Sequence, residues 1–207
     1  NIKGTPYTSI WYDEVTKKIN YIDQTLLPWE LKIRELRTLE DAIRAINDME
    51  VRGAPLIGVV AAFGYYLGLK ASSLRLKALG FRLEYEAEEI RNKLMSTRPT
   101  AINLKWALTQ MQLSAFPDLL EKSLEIRQSE IDRSHSIGQY GLQLIKSKYA
   151  QTGKPVNILT HCNAGWLACV EYGTATAPIY LAHEAGIPVH VWVDETRPRN
   201  QGAKLTA

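Results

Sequence analysis

A histidine, a cysteine and an asparagine stand together at residues 161–163, after the short apolar run "VNILT" and before glycine and other small residues. If that run is a buried parallel strand, the turn lies at its carboxyl end, where open α/β sheets bind their ligands. Cys162 is then a candidate catalytic group on the floor of a cleft. A helix N-terminus would favour the thiolate and apolar surroundings the thiol, so the sequence leaves its protonation state open. It also leaves open a packing role, because free cysteines often only fill space.

The other cysteine and the histidines give weaker signals. Cys169 lies seven residues later in a segment of small residues, and we expect it to pack in the core. His161 next to Cys162 does not have the ligand spacing of a zinc site, so a hydrogen-bonded structural role is favoured. We expect His183 and His190 to lie at the surface or to be satisfied in the core.

Two acids and two threonines near the same segment could also serve chemistry. Asp194 and Glu195 resemble an acid and base pair, but neighbours at a strand end point to different sides, so at least one is structural. Thr174 and Thr176 follow Gly173 at the predicted start of a helix, where hydroxyl groups commonly cap free N–H groups. We predict capping for both threonines.

Three arginines share a common setting, because Arg52, Arg98 and Arg197 each stand shortly before a proline that we predict to open a helix. Free N–H groups and the helix dipole favour an anion at such a position, and a guanidinium adds charge-assisted hydrogen bonds. Gly53 would let backbone amides approach a ligand closely. The recurrence predicts a phosphate site, and the alternative for each arginine is a solvated cation beside a helix end.

The elements that must position these groups change character along the chain. The stretch "TSIWYDEVTKKINYID" alternates apolar and polar residues around a polar turn and predicts a β-hairpin, with "LKIREL" as a third strand. From Thr38 the apolar residues fall at helical spacing, and Asp41 completes a capping pattern. Further helices are predicted over "PLIGVVAAFGYYLGL" and over residues 74–95, 102–111 and 119–149.

After residue 154 the pattern becomes strand, helix, strand. "VNILTH" is followed by a helix from about Gly173 to Ala185, then by the stop signals Gly186 and Pro188 and the strand "VHVWV". Short loops between these elements predict a βαβ unit in a parallel sheet. We therefore expect an α/β protein with a small N-terminal domain at residues 1–125, made of β-strands and helices, and a Rossmann-like parallel-sheet domain at residues 126–207 that is incomplete in this chain.

The bulk composition excludes several classes of protein. The 207 residues are 45% hydrophobic and 23% charged, with a net charge of +3 and a pI of about 8.8. The basic residues are not clustered as in nucleic-acid-binding proteins, so the balance favours an anionic small molecule. Two cysteines without a disulfide or metal spacing predict a reducing, cytoplasmic compartment. No G-x-G-x-x-G or Walker sequence supports a nucleotide cofactor.

Neither a membrane nor a secretory route is expected. No uninterrupted apolar run approaches the roughly 18 residues of a membrane span, and the N-terminus lacks the layout of a signal peptide. The chain begins without Met and stops at "GAKLTA", which reads as the start of a helix. We expect a fragment or a trimmed chain.

Taken together, these motifs resemble a known enzyme family. "VRGAPLIGVVAAFG", "RPTAINLKWAL", "LTHCNAGWLACVEYGTATAP", "DETRPRNQGA" and the early "IDQTLLP" are similar to the methylthioribose-1-phosphate isomerases of methionine salvage. That family is related to ribose-1,5-bisphosphate isomerases and to regulatory subunits of the eukaryotic initiation-factor exchange complex. The resemblance extends from about Trp11 to Ala207.

The resemblance implies a homodimer that converts an aldose 1-phosphate, a phosphorylated pentose, to a ketose 1-phosphate without a metal or cofactor. By the same resemblance Cys162 is the active-site cysteine, Arg197 is secondary, and the substrate-binding residues are Arg52, Gly53, Ala54, Arg98 and Gln201.

One departure from the family's pattern is serious. The family's catalytic aspartate lies beyond the "QGA" segment, and this chain ends first. Asp194 belongs to the "DET" motif and does not occupy that position. A related isomerase of another 1-phosphorylated pentose would share every motif quoted above. A second rival is a non-catalytic binding subunit of the initiation-factor type, against which the retained Cys162, Arg52 and Arg98 argue. A third is an inactive half-chain whose fold another polypeptide completes.

Overall fold

The computed structural model describes residues 4–79 and 84–207, and the side chains of 74–79 and 84 are left aside. The chain forms two compact units. The helical unit contains Ile10–Leu26 and Glu30–Gln128, and the cysteine unit contains the segment ending at Ser9, Leu27–Trp29 and Ser129–Ala207. The domain division at residue 125 stays a prediction.

The helical unit opens with the predicted strands. β1 (Ile10–Asp13), β2 (Lys18–Asp23) and β3 (Lys32–Leu36) form an antiparallel sheet in that order. The turn between β1 and β2 closes on Asp13, whose Oδ1 accepts hydrogen bonds from the N–H groups of Val15 and Thr16 at 2.9 and 3.0 Å. The predicted hairpin and third strand are confirmed.

The capping pattern at Thr38 is also confirmed. α1 (Leu39–Asn47) begins with a capping box in which the Thr38 hydroxyl accepts the Asp41 N–H at 3.1 Å and the Asp41 carboxylate accepts the Thr38 N–H at 3.1 Å. Two backbone donors that the first turn of a helix leaves without partners are satisfied in this way.

In the middle of the helical unit, one helix boundary differs from the prediction. α2 (Ala54–Leu79), α3 (Glu84–Thr97) and α4 (Ile102–Gln112) are observed. The predicted helix at 74–95 was therefore wrong in its start, because its first residues continue α2, and residues 80–83 lie outside the described residues.

Contrary to the expectation from apolar run lengths, one helical stretch among the described residues could cross a membrane by length and composition. It is Ala54–Ser73, with a mean hydropathy of 1.4 over its best window. The mean hydropathy of this window stays high although glycines and tyrosines interrupt the apolar run. Because 67% of the window is buried inside the structure, and a core helix passes the same test, this is weak evidence for a span.

α2 is the centre of the helical unit, and its glycines allow neighbouring helices to approach. A Cβ at Gly64 would lie 2.6 Å from the Ala42 Cβ of α1, and one at Gly68 would lie 3.0 Å from Ile90 of α3. The core that forms around it contains the fully buried residues Tyr21, Ile22, Leu36, Ile46, Leu56, Phe63, Leu94, Leu104, Leu108 and Met111.

The cysteine unit contains the predicted βαβ unit. α5 (Leu119–Thr152) ends in it, and β4 (Val156–His161), α6 (Ala177–Glu184) and β5 (Val189–Asp194) follow. β4 and β5 pair in parallel with Val156 opposite Val189. Gly186, at φ +71°, ends the helix as predicted. The α/β fold class is confirmed.

Two details of this unit differ from expectation. β4 is buried on one face only, since Asn157, Leu159 and His161 are exposed. α6 starts at Ala177 rather than Gly173, because the intervening residues form a packed loop. The small core of the unit joins α5, β4, α6 and β5 through Ile145, Val156, Ala182 and Ile187, with Leu142, Tyr149, Ile158 and Val189 packed against it.

Candidate active site

The predicted phosphate-binding residues Arg52, Gly53 and Ala54 lie at the start of α2. Gly53 has φ +96°, a left-handed conformation that glycine adopts without a steric penalty. Its carbonyl accepts the Ile57 N–H at 2.9 Å, so Gly53 makes the first hydrogen bond of the helix. Arg52 is half-buried and Ala54 exposed. The residues therefore lie at a helix N-terminus, where free N–H groups can bind an anion.

The other predicted phosphate contact, Arg98, lies near the start of α4. A Cβ at Gly58, in the second turn of α2, would lie 2.9 Å from the Asn103 carbonyl oxygen in the first turn of α4. The N-terminal ends of α2 and α4 are therefore side by side, as a shared anion site requires. The two arginines belong to the segments that lead into these two ends.

The expectation that each proline opens a helix was right only for Pro55. Pro99 lies in a turn three residues before α4, and Pro198 lies in a turn after β5. In both places a proline fixes the backbone of a connecting turn rather than a first helical turn. Arg98 and Arg197 thus belong to turns that precede the next element.

A buried carboxylate anchors the chain just before Arg52. The Glu50 side chain, 7% exposed, accepts a hydrogen bond from the Tyr21 hydroxyl on β2 and lies 3.5 Å from Arg34 Nε and 3.6 Å from Arg44 Nε. Its carbonyl accepts the Gln24 N–H at 2.8 Å. Burial and the Glu50 carboxylate both raise the pKa of Tyr21, so its hydroxyl stays a donor. Sequence reasoning missed this anchor, because Glu50 forms no motif with its partners.

Asp23 completes this polar cluster. Its side chain is fully buried and accepts hydrogen bonds from Arg34 Nε at 2.7 Å and from the Thr25 hydroxyl at 2.6 Å. Desolvation works against the charged form, but the Thr25 and Arg34 hydrogen bonds outweigh it and hold the pKa of Asp23 below its ordinary value. Asp23 is therefore ionised at neutral pH.

Cys162 lies at the carboxyl end of β4, as predicted, and both of its backbone polar groups are fixed. Its N–H donates to the Asp194 carbonyl at the end of β5 at 3.3 Å, and its carbonyl accepts the Thr206 hydroxyl at 2.7 Å. The residue has φ +63°, which is costly for a side chain with a Cβ and typical of functional positions. The side chain is partly exposed.

The turn that carries Cys162 is tied to the loop before α6. The Ala164 carbonyl accepts the Thr174 N–H at 2.9 Å and the Thr176 hydroxyl at 3.3 Å. Gly173, at φ +85°, lies so close that a Cβ would be 2.5 Å from the Gly165 carbonyl carbon and 2.6 Å from the Ala164 oxygen. Only glycine fits at that position.

The capping role predicted for two threonines was wrong. Thr176 is the N-cap residue of α6, but its hydroxyl makes no cap hydrogen bond and donates instead to the Tyr172 carbonyl at 2.7 Å. The Thr174 hydroxyl points to the Ala164 carbonyl at 3.5 Å. Both hydroxyls thus donate to carbonyl groups of the cysteine turn or of the loop before α6.

Cys169 is structural. It is 1% exposed, and its carbonyl accepts the hydroxyl of the buried Ser9 at 2.7 Å. Burial and the Glu130 charge raise the pKa of Cys169 to about 11, although a hydrogen bond with Ser134 works in the opposite direction. It is a protonated thiol at neutral pH, which agrees with the predicted packing role. Both cysteines are free.

The remaining predicted contact, Gln201, lies in the segment after β5. Its side-chain Oε1 accepts the Thr196 hydroxyl, and Gly202 after it begins the π-helical turn Gly202–Thr206. That turn carries Thr206 to Cys162, so Gln201 and Cys162 are parts of one hydrogen-bonded assembly. His161 and Asp194 flank it, with Nδ1 and Oδ2 3.8 Å apart and both side chains exposed.

The predicted site residues thus fall into two groups. Arg52, Gly53, Ala54 and Arg98 belong to the helical unit, and Cys162 and Gln201 belong to the cysteine unit. Among the described residues, no group of three or more His, Cys, Asp or Glu side chains could hold a metal ion.

The chain is similar to known proteins over its whole length. The sequence profile of the initiation factor 2 subunit family matches residues 50–207. The chain belongs to that family. Within it, the chain is 49% identical to methylthioribose-1-phosphate isomerase of Acidiphilium cryptum and 46% identical to that of Rhodospirillum centenum, over 100% of its own length. It spans about 55% of the length of these relatives.

Two solved structures are similar in fold to this chain. The 5-methylthioribose 1-phosphate isomerase of Pyrococcus horikoshii superposes with a TM-score of 0.80 at 32% identity, covering 100% of this chain and 59% of the other. The delta subunit of translation initiation factor eIF-2B from A. fulgidus gives 0.73 at 31% identity, over 97% of this chain and 58% of the other.

Proposed function

We propose that this chain forms part of an aldose–ketose isomerase that converts 5-methylthioribose 1-phosphate to 5-methylthioribulose 1-phosphate in methionine salvage. The observation that carries the proposal is the fixed, left-handed Cys162 at the end of β4. Its support is the 46–49% identity to methylthioribose-1-phosphate isomerases. A protein-binding module does not need the set formed by Cys162, Arg52 and Arg98.

The reaction is an isomerisation, so it needs no oxidant. The ring oxygen gains a proton when its bond to C1 breaks, one hydrogen moves from C2 to C1, and the C2 hydroxyl loses its proton as the carbonyl forms. In this proposal Cys162 donates a proton or stabilises the charge that develops, and general acid–base groups of this kind contribute about 10²–10⁴-fold in rate. The aspartate that the family resemblance implies for the other proton is not among these 207 residues.

Phosphate binding falls to the helix ends of the helical unit in the same proposal. Gly53 and Ala54 offer backbone N–H groups, and Arg52 and Arg98 offer guanidinium groups. For Gln201, in the cysteine unit, the resemblance alone implies a contact with the substrate. A phosphate held in this way keeps the sugar oriented, which lowers the entropic part of the barrier.

A second candidate is the non-catalytic binding subunit, which the likeness to the A. fulgidus eIF-2B delta subunit favours. The two differ in a direct assay. The protein, purified as the cell makes it, is incubated with 5-methylthioribose 1-phosphate or with ribose 1,5-bisphosphate, and ketose formation is followed by phosphorus NMR. The proposal predicts turnover of the methylthio sugar in preference. Preferred turnover of the bisphosphate would select the related isomerase, and turnover of neither would favour the binding subunit.

The proposed assembly follows from the family resemblance, and the proposed location follows from the cysteines. A homodimer is implied by the family, and two free cysteines support a reducing, cytoplasmic compartment. Light scattering of the purified protein at several concentrations tests the dimer. A mass of one chain at all concentrations would remove it from the proposal.

A further inference from the structure

The segment after β5 is folded around one carboxylate, that of Glu195. Its Oε1 accepts the N–H groups of Thr196 at 2.7 Å and Gly202 at 2.9 Å, and its Oε2 accepts the Ala203 N–H at 3.2 Å. Desolvation opposes the charge, but these hydrogen bonds and Arg197 together lower the pKa of Glu195. The charged form of the carboxylate is thus favoured, and its hydrogen bonds close residues 196–203 into a loop.

The loop that Glu195 closes contains Gln201. Gly202, the next residue, is pressed onto the end of β5, because a Cβ there would lie 2.5 Å from the Asp194 carbonyl oxygen. On the other side Thr196 donates its hydroxyl to Gln201 Oε1. The amide oxygen of Gln201 is therefore held by Thr196, and the Glu195 carboxylate accepts the N–H groups on either side of this pair, those of Thr196 and Gly202.

The same loop reaches the active-site cysteine. The π-helical turn starts at Gly202 and ends at Thr206, whose hydroxyl donates to the Cys162 carbonyl at 2.7 Å. Asp194, adjacent to Glu195, accepts the Cys162 N–H. The backbone bond from Thr206 to Cys162 therefore comes from the turn that Glu195 anchors, whereas the bond to Asp194 belongs to the pairing of β4 with β5.

We propose that Glu195 is a positioning residue that sets Cys162 and Gln201 in one geometry, with Thr206 carrying the connection to the cysteine. The inference rests on the proposed function of those two residues. The sequence alone suggested only that one of the two acids at this strand end would be structural.

Cys162 alkylation tests the connection without requiring turnover. In the 207-residue chain, the rate at which iodoacetamide modifies Cys162 is measured by peptide mass spectrometry well below the unfolding temperature, with the buried Cys169 as internal reference. Glu195→Ala removes charge-assisted hydrogen bonds of the loop, so the alkylation rate of Cys162 should rise at least about fivefold while Cys169 still reacts slowly.

Three further variants separate positioning from general loosening. Glu195→Gln should have an intermediate rate, because its amide oxygen can still accept from Thr196 and Gly202 but its nitrogen cannot accept from Ala203. Thr206→Val should raise the Cys162 rate as Glu195→Ala does. Glu184→Ala, which removes an exposed acid of α6 in the same unit, is the matched control and should match the parent chain.

Kinetics of the protein as the cell makes it give the second readout. Glu195→Ala should lower kcat and raise KM, whereas Thr206→Val should lower kcat alone, since Gln201 keeps its loop. An unchanged Cys162 rate in Glu195→Ala, or an equal rise at Cys169, would overturn the inference. If the parent protein fails to turn over the sugar phosphate, the proposed function fails, but the alkylation result still decides the role of Glu195.

Discussion

Gly173 offers a sharp test of how the cysteine turn is built. It lies at φ +85° against the backbone of residues 164 and 165, and an added Cβ would meet three atoms at 2.5–2.6 Å, two of which are backbone atoms that cannot move independently. Gly186 is a matched control in the same unit. It has a similar φ of +71°, but a Cβ there would have nothing within 4 Å.

The structure separates the two contributions to the cost of a methyl group. The left-handed conformation costs a residue with a Cβ about 1–2 kcal/mol, and both Gly173→Ala and Gly186→Ala incur it. Overpacking adds about 1–3 kcal/mol, and only Gly173→Ala incurs that part. We therefore expect Gly173→Ala to be less stable than Gly186→Ala by about 1–3 kcal/mol.

Equilibrium urea unfolding, followed by circular dichroism, measures this difference. With a slope of about 2 kcal/mol per M, the midpoint of Gly173→Ala should lie about 0.5–1.5 M below that of Gly186→Ala. Gly173→Ala should also speed alkylation of Cys162, because the Ala164 carbonyl is displaced. Equal midpoints for the two variants would refute the tight packing between the loop before α6 and the cysteine turn.

Three further predictions concern the helical unit. The Thr25 and Arg34 hydrogen bonds lower the pKa of Asp23, so its contribution to the free energy of unfolding is complete above pH ~4 and disappears as the pH falls through the folded-state pKa. Asp23→Asn should therefore lose less stability on acidification than the parent. Urea midpoints measured from pH 7 to 3 check this, and parallel curves for the two proteins would contradict it. Tyr21→Phe should cost about 1–3 kcal/mol, since the buried Glu50 carboxylate loses its hydroxyl donor, and a midpoint within error of the parent would show that the hydrogen bond contributes nothing. Gly58→Ala should separate the ends of α2 and α4 and weaken binding of inorganic phosphate, measured by phosphorus NMR titration, whereas unchanged affinity would place the anion elsewhere.

The sequence predicted the elements whose signals are local. The hairpin, the Thr38 capping box and the βαβ unit all depend on residues close in the chain, and each is observed. The position of Cys162 also followed from local order, because a strand followed by a polar turn places that turn at the strand end. Its role as a catalytic group stays a prediction.

Features that depend on distant contacts could not be predicted. Thr176 carries a cap signal, but its hydroxyl donates to Tyr172 and Ala164 because the loop folds back onto the cysteine turn. Glu50 forms no motif with its partners, and its importance comes from donors that the fold brings to it. Glu195 stands in the "DETRPRNQGA" motif, but the motif does not say that its carboxylate accepts the Gly202 and Ala203 N–H groups. The residue type alone does not say which acid a fold will surround with donors.

The measurement that tests the central claim most directly compares Cys162→Ala with the parent protein, purified as the cell makes it, on 5-methylthioribose 1-phosphate. Turnover and sugar-phosphate affinity are both followed by phosphorus NMR. If Cys162 acts on the reacting carbons, turnover should fall by about 10²–10⁴-fold while the affinity changes little, because the phosphate is held by other residues. Turnover equal to that of the parent would contradict a catalytic role for Cys162.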